Sequence, residues 1–533
     1  MAKSGISRLA RLGVDMPRTL RRHPLAIVTL VAALPRFVAL GGAPFDIDET
    51  WTWYSVHLIE SGRSAWQVLA VGLDGPLFLA SNLAVAAVFG AEGLSTLALR
   101  LVPALVGTLA VGLVFAVAHR LWGPRIAFVA GAVAALSPFL IFYSRQARPY
   151  AFLMLFCVLY VWVSVRPSRR RRLAIAGTAA LAMASHAYAI VFLGTYHGLS
   201  WISHRVAGRR TEQRRELGDA AVACAAAGPF VAFLLWRLAR LSSPYWRRES
   251  LDLPAVWAEQ FLFLGSSIGG APESAAWVNR IVTMLLLAPF VVAAWRSARS
   301  LLERPLLLLG IAMPLGVALA GAGFGARWLF YPRGFIGATP FLLAGWALLT
   351  LELPVRAWLR GAYAALLLVP FLGSSLAVAI NHPGHAYYRD RRLMPEIVEH
   401  ASRLGERYDV LLVHHWWLTQ YVAAFHPEPD RVQGLGMWRR DEAARDGELV
   451  AVLRDLAQIS PDARILLLHN DLAGSYGDSA DTVLQVLRER RPLLDSFPCR
   501  DGAPIPGESM LCDGLFLFGP EAADAPTGGK EAR

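Results

Sequence analysis

Apolar residues run along this chain in blocks, and short polar stretches separate the blocks. A bilayer crossing needs about 20 predominantly apolar residues, with a working range of roughly 17–25. Blocks of that kind lie near 25–43, 97–118, 126–142, 150–165, 173–185, 187–203, 219–240, 281–295, 305–322, 334–351 and 361–380. The pattern therefore predicts a polytopic helical membrane protein with about eleven crossings. The apolar piece 76–90 is too short to span comfortably and opens on the breaker pair Gly75–Pro76. It is read as a juxtamembrane helix within a first external loop over 44–96.

Basic clusters set the orientation. They comprise Lys3, Arg8, Arg11, Arg18, Arg21 and Arg22, then Arg120/Arg125, Arg166 with Arg169 to Arg172, Arg205 to Arg215, Arg296 to Arg304, and Arg356/Arg360. Placing every one on the cytoplasmic side is consistent only if 76–90 does not cross. The basic stretch 1–24 is then cytoplasmic, 25–382 forms the membrane domain with a second external loop at 241–280, and 383–533 lies outside. The first 43 residues have the basic-then-apolar order of a signal sequence, read here as an uncleaved anchor because an acidic motif follows at once.

The last 150 residues change character. Asp409–Val413 followed by a helix-like Trp416–Phe425, and Arg464–Leu468 followed by a helix-like Thr482–Arg491, read as strand–helix units, with Gly514–Phe518 as a final strand. The prediction is a small extracytoplasmic α/β domain, without a glycine-rich phosphate fingerprint.

Composition agrees. Of 533 residues, 55% are hydrophobic and 17% charged, against about 45–50% and 25% in soluble proteins; mean hydropathy is +0.42. That excludes an ordinary cytosolic enzyme, a disordered chain and a nucleic-acid module. The net charge of +12 reads as loops held at the cytoplasmic face, not as a polyanion site. Cys157 and Cys224 fall in apolar runs, while Cys499 and Cys512 fall in the polar C-terminal part, where an oxidising compartment would let them pair.

With this orientation the unusual polar residues gather on the external side. Asp46, Asp48 and Glu49 directly follow the first span, and carboxylates at a membrane surface are expensive unless they serve a purpose. One reading makes Asp48 or Glu49 the N-cap of a helix over about 50–60, with Trp51, Trp53 and Tyr54 as an interfacial aromatic belt. Arg145 and Arg148, in Tyr143–Tyr150, defy the positive-inside trend and suit an anion such as phosphate, or snorkel at the interface. His186 and Tyr188 mark a third external tip, and Arg327, Trp328, Tyr331 and Arg333 a fourth. Asp74 and Tyr245–Arg248 are lesser features.

Together these groups suit transfer of a sugar from a lipid phosphate. A carboxylate takes the proton of an attacking hydroxyl, cations stabilise charge on the departing phosphate, and Trp51, Trp53, Tyr150 and Tyr188 offer faces to a sugar or acceptor. A transporter or flippase would show repeated halves and charges at mid-bilayer, and the sequence has neither; a ligase or polymerase of lipid-linked glycans is the other alternative.

The chain resembles the GT-C superfamily of polyprenyl-phosphate-sugar-dependent glycosyltransferases, in particular the bacterial branch related to protein O-mannosyltransferases and the aminoarabinose transferase of lipid A. The resemblance rests on Asp48-Glu49, Pro76-Leu77, Arg100-Leu101-Val102-Pro103, Ser144-Arg145 with Arg148 and Tyr150 after Pro138, His186-Ala187-Tyr188, and Arg333 with Pro340. It covers roughly residues 25–350. It implies an inverting transfer in a bacterial inner membrane, from a polyprenyl-phosphate sugar to a hydroxyl acceptor. Asp48 would be the base, Glu49 its positioner or a sugar ligand, and Arg148 and Arg333 the phosphate ligands, with Arg145 and His186 as further candidates. Superfamily members differ in their use of a divalent metal; Asp46 makes an Asp-x-Asp pair that some use for one, which also makes Asp46 an alternative base. No other cofactor is implied. Asp74-Gly75 stands where the aminoarabinose branch has a lysine, which argues against the lipid A acceptor.

Overall fold

The computed structural model describes residues 23–71, 75–90, 94–240, 276–324, 332–382, 393–413, 422–428, 431–434, 456–469, 479–497 and 514–520. Asp74, Arg327, Trp328, Tyr331, Tyr245–Arg248, Cys499, Cys512 and the basic residues before His23 lie outside the described residues.

Helices α1 (Pro24–Phe37), α2 (Ile47–Glu60), α3 (Ala65–Val71), α4 (Pro76–Phe89), α5 (Thr96–Trp122) and α6 (Pro124–Ala135) come first. They are followed by α7 (Pro138–Ser144), α8 (Tyr150–Val165), α9 (Arg171–Ser185), α10 (Ala189–Val206) and α11 (Arg210–Arg240). Then come α12 (Ala276–Leu302), α13 (Pro305–Phe324), a 3-10 turn (Pro332–Phe335), α14 (Thr339–Glu352) and α15 (Ala357–Ala379). Among the described residues four helices are long and apolar enough to cross a membrane: α5, α11, α12 and α15. Helices α6 and α7 would make a fifth crossing if taken as one.

That pair departs from the expected continuous span over 126–142. Its two halves bend by 60°, because Pro138 has no N–H to continue the ladder and Ser137 caps a new helix through the Leu140 N–H. The short helix expected at 76–90 forms as α4, with Pro76 at its first turn.

Helix α5 packs along α1, α6 and α8; α9 packs between α8 and α11; α13 lies against α10 and α14. One apolar core runs through these helices, centred on α8 and α14. Small residues let the backbones close: a Cβ on Gly107 would meet the Ser144 hydroxyl, and one on Gly337 the Cys157 thiol.

Near the C-terminus a small sheet forms from β1 (Val410–Val413), β2 (Val432–Gly434), β3 (Ile465–His469), β4 (Leu493–Phe497) and β5 (Gly514–Phe518), in the order β2-β1-β3-β5-β4. Strand β1 pairs in parallel with β2 and β3, whereas β5 runs antiparallel to β3 and β4. Alternation along the strands buries both faces. Leu411, Val413, Leu466 and Leu468 meet α16 (Leu393–Arg403). Leu412, Ile465 and Leu467 meet α17 (Ser479–Arg490). Strands β1, β3 and β5 fall where the sequence placed strands; β2 and β4, at the two edges, did not announce themselves. Of the helix expected at Trp416–Phe425, residues 416–421 lie outside the described set.

Candidate active site

The acidic motif opens helix α2 through a capping box. Asp46 is the N-cap: its Oδ1 accepts the Glu49 N–H at 2.9 Å, and Glu49 Oε2 accepts the Asp46 N–H at 3.0 Å. The spacing of three residues is what such a box requires. The cap is therefore Asp46, not Asp48 or Glu49, and the helix starts three residues earlier than expected. Asp48 is left in the first turn with its carboxylate outside the cap.

Glu49 is fully buried. Its Oε1 accepts Arg100 Nε at 2.8 Å and the Ala147 N–H at 2.8 Å, and its Oε2 accepts Arg100 Nη2 at 2.6 Å. Arg100 also donates to the carbonyls of Leu40, Ala43 and Pro44 at 3.2, 2.7 and 2.8 Å. One carboxylate thus ties together the end of the α1 connection, the start of α5 and the turn between α7 and α8.

That turn is stitched to α2 along its length. Thr52 Oγ1 donates to the Ala147 carbonyl at 2.8 Å, Gln146 Nε2 donates to Asp46 Oδ2 at 2.7 Å, and Arg148 Nη1 donates to the Asp48 carbonyl at 3.2 Å. The buried Arg148 is thereby set next to the Asp48 carboxylate and within 6.0 Å of the Tyr150 ring centre.

Arg333 reaches the same point from far along the chain. It stands in the 3-10 turn, whose Gly334 lies against the Tyr188 ring: a Cβ there would come within 3.2 Å of ring carbons. Arg333 Nη1 donates to Asp48 Oδ2. Asp48 keeps 38% and Arg333 25% of its side-chain surface open, so both charges can be reached by a reactant. Burial alone would push the Asp48 carboxyl up, but the Arg333 and Arg148 guanidiniums outweigh it and hold it below the usual carboxylate range.

Aromatic rings wall this centre. Tyr188 stacks on His186 at 4.7 Å, and His186 lies 5.6 Å from Tyr150. His186 ends α9, and its Nδ1 accepts the Tyr188 N–H at 3.1 Å. Gly75, at the start of α4, fits directly onto the Ala184 and Ser185 carbonyls, where a Cβ would sit 2.2 and 2.4 Å away. Trp51 packs near Tyr54, and Trp53 stacks on His57 at 5.4 Å while lying on the apolar cluster of Phe45, Val56 and Leu99.

The structure thus brings Asp48, Arg148, Arg333, Tyr150, Tyr188 and His186 together. Arg145 is turned to another task. Its guanidinium donates to the carbonyls of Pro35, Val38 and Ala39 at 2.7, 2.6 and 3.1 Å and to Asn381 Oδ1 at 2.8 Å. It caps the C-terminal end of α1, where carbonyls lack intrahelical partners and the dipole favours a cation. Two residues not singled out as site members, Arg100 and Gln146, hold the acidic motif in place. Arg100 was legible only as part of the Arg100-Leu101-Val102-Pro103 motif at the start of an apolar block, with no role attached to it.

Among the described residues no three His, Cys, Asp or Glu side chains gather as a metal would require. Asp46 faces N–H donors and Asp48 a guanidinium, and carboxylates dressed by donors do not fit a cation.

A family model described as dolichyl-phosphate-mannose-protein mannosyltransferase matches residues 75–236. No curated protein matches the chain. Among solved structures, ArnT from Cupriavidus metallidurans bound to undecaprenyl phosphate superposes with a TM-score of 0.56 at 14% identity, over 94% of this chain and 98% of that one. The apo state of the same protein gives 0.57 at 14% identity, over 93% and 97%. The Archaeoglobus fulgidus oligosaccharyltransferase tethered to an acceptor peptide gives 0.51 at 12% identity, over 96% of this chain and 75% of that one. The likeness to these solved structures is one of fold, and it extends over nearly the whole chain.

Proposed function

We propose that this chain is a membrane glycosyltransferase that moves a monosaccharide from a polyprenyl-phosphate donor to a hydroxyl acceptor at the external membrane face. The carrying observation is the meeting of Asp48 with Arg333 and Arg148, three groups drawn from separate stretches of chain onto one partly open centre. The matched family's description and the undecaprenyl phosphate bound by ArnT support the donor class.

In this reading the donor phosphate displaces the Asp48 carboxylate from Arg333, and Arg148 supplies a second positive charge. The released Asp48 carboxylate takes the proton of the acceptor hydroxyl. The acceptor oxygen attacks the anomeric carbon from the face opposite the phosphate, the carbon–oxygen bond to phosphate breaks, and its electron pair stays on the phosphate. Inversion follows. The ground-state ion pair keeps Asp48 ionised until a substrate arrives and holds Arg333 where the phosphate must lie. Tyr150, Tyr188 and His186 form the wall against which the sugar stacks; Asp46, Glu49 and Arg145 position the backbone around them.

The membrane arrangement belongs to the same proposal: about eleven crossings, cytoplasmic N-terminus, the α/β domain from 383 onward outside, and residence in a bacterial inner membrane. The test is a donor screen with reconstituted protein and lipid-phosphate monosaccharides, read as mass gain in membrane glycans or proteins. Asp48→Asn is expected to insert normally and lose transfer. Full activity in both Asp46→Asn and Asp48→Asn would sink the assignment of the base.

A further inference from the structure

Helices α8, α9 and α10 meet the Asp48 centre with one set of ends; their opposite ends frame a second, unrelated cavity of about 350 Å³. Helix α8 has 16 residues, which separates the two by about 24 Å. The cavity is lined where α8 ends and α9 begins, by the second half of α10, by the first turns of α11 and by Pro305 and Leu306 of α13.

Its charges are mixed. Arg166, Arg171 and Arg215 face Glu212 and Glu216. Arg171 is matched from behind by the buried Asp219, and Glu216 Oε1 meets His197 Nδ1 at 2.5 Å, with His197 Nε2 2.5 Å from the Tyr160 hydroxyl. Two exposed arginines, Arg166 and Arg215, therefore remain to receive an anion. The exposed Glu212 and the second oxygen of Glu216 remain to receive a cation. Arg166 is steadied over the Trp162 ring at 4.9 Å, Tyr196 adds an aromatic face, and His204 lines the wall with Nδ1 buried and without a hydrogen-bond partner among the described residues. An anion alone would be opposed by the glutamates, and a cation alone by the arginines. A ligand carrying both charges a few ångströms apart satisfies each, and the rim of Val165, Pro167, Pro305 and Leu306 gives it an apolar neighbour.

We propose that this cavity holds the headgroup of an aminophospholipid from the leaflet opposite the Asp48 centre: phosphate on Arg166 and Arg215, primary ammonium on Glu212 and Glu216, glycerol and acyl carbons on the apolar rim. The site requires no turnover, so it stands or falls separately from the transferase reading.

The experiment is native mass spectrometry of the full-length protein equilibrated with equal amounts of phosphatidylethanolamine, phosphatidylglycerol and phosphatidylcholine. Phosphatidylethanolamine is expected to be retained about tenfold over either competitor, the discrimination of one charged hydrogen bond. Glu212→Gln should reduce its retention to the level of phosphatidylglycerol, and Arg166→Ala with Arg215→Ala should abolish retention of both; all these side chains are exposed, and unchanged thermal unfolding verifies the fold. Equal retention of the three lipids, retention indifferent to Arg166→Ala with Arg215→Ala, or displacement by free phosphoethanolamine at equal concentration would each overturn the proposal.

Discussion

Replacing Arg100 by Met, Glu49 by Gln, and both together separates architecture from chemistry in the acidic motif. Arg100 makes two hydrogen bonds to Glu49 at 2.8 and 2.6 Å and three to carbonyls, with 2% of its side chain exposed and none of Glu49. Arg100→Met takes the guanidinium from a buried carboxylate that also accepts the Asp46 and Ala147 N–H groups, and strips the Leu40, Ala43 and Pro44 carbonyls of a donor. Breaking a buried pair in this way costs about 3–5 kcal/mol. Glu49→Gln leaves the guanidinium its carbonyl partners, but turns an amide NH2 toward other donors, for about 3 kcal/mol. The double variant removes both uncompensated charges, so its loss should fall short of the sum by at least about 2 kcal/mol. The assay is reversible unfolding of the detergent-solubilised protein, with transfer measured per folded molecule. Additivity within about 0.5 kcal/mol would refute the clasp. So would a Glu49→Gln protein of unchanged stability and lost turnover, which would move Glu49 into the chemistry.

Asp48→Asn should lower transfer by about 10²–10⁴-fold with unfolding unchanged, measured in liposomes with the active donor. Because the neighbouring arginines hold the Asp48 carboxyl below its ordinary value of 3.8, the ion pair is complete above that value and is lost as pH falls through the lowered one. The acid limb of kcat/KM should lie correspondingly low, and Arg333→Gln should move it to higher pH; an unmoved limb assigns the titration elsewhere. Arg148→Ala should weaken binding of polyprenyl phosphate by about tenfold without loss of insertion, whereas equal loss of both would favour a purely structural arginine. Gly75→Ala drives a Cβ into two backbone carbonyls that cannot swing aside and should destabilise by about 1–3 kcal/mol. Gly177→Ala, in the middle of α9 with nothing within 4 Å, should stabilise by up to about 1 kcal/mol.

Periodicity and composition carried most of the helical architecture, because apolar blocks bounded by Pro and Arg leave few alternatives in a bilayer. They failed where one residue changes the local rule. Ser137 and Pro138 break a span that hydropathy reads as continuous, since hydropathy does not see a missing N–H. The cap of α2 fell on Asp46 because the reciprocal bond from Glu49 depends on a spacing of three, not on which carboxylate comes nearest the apolar run. The grouping of Asp48 with Arg148 and Arg333 could be anticipated from charges out of place, whereas Arg145 shows the limit of that reasoning. An arginine between two apolar blocks satisfies a helix end as readily as a phosphate, and the carbonyls around it tell the two apart. Edge strands β2 and β4 were illegible because short, half-exposed segments such as Leu493–Phe497 carry little hydrophobic signal.

The bond between Asp48 and Arg333 spans 285 positions of the chain. During synthesis the acidic motif leaves the ribosome and enters the membrane long before its cationic counterpart exists. A polypeptide interrupted anywhere in between carries Asp48 without Arg333, so prematurely terminated copies never form this ion pair.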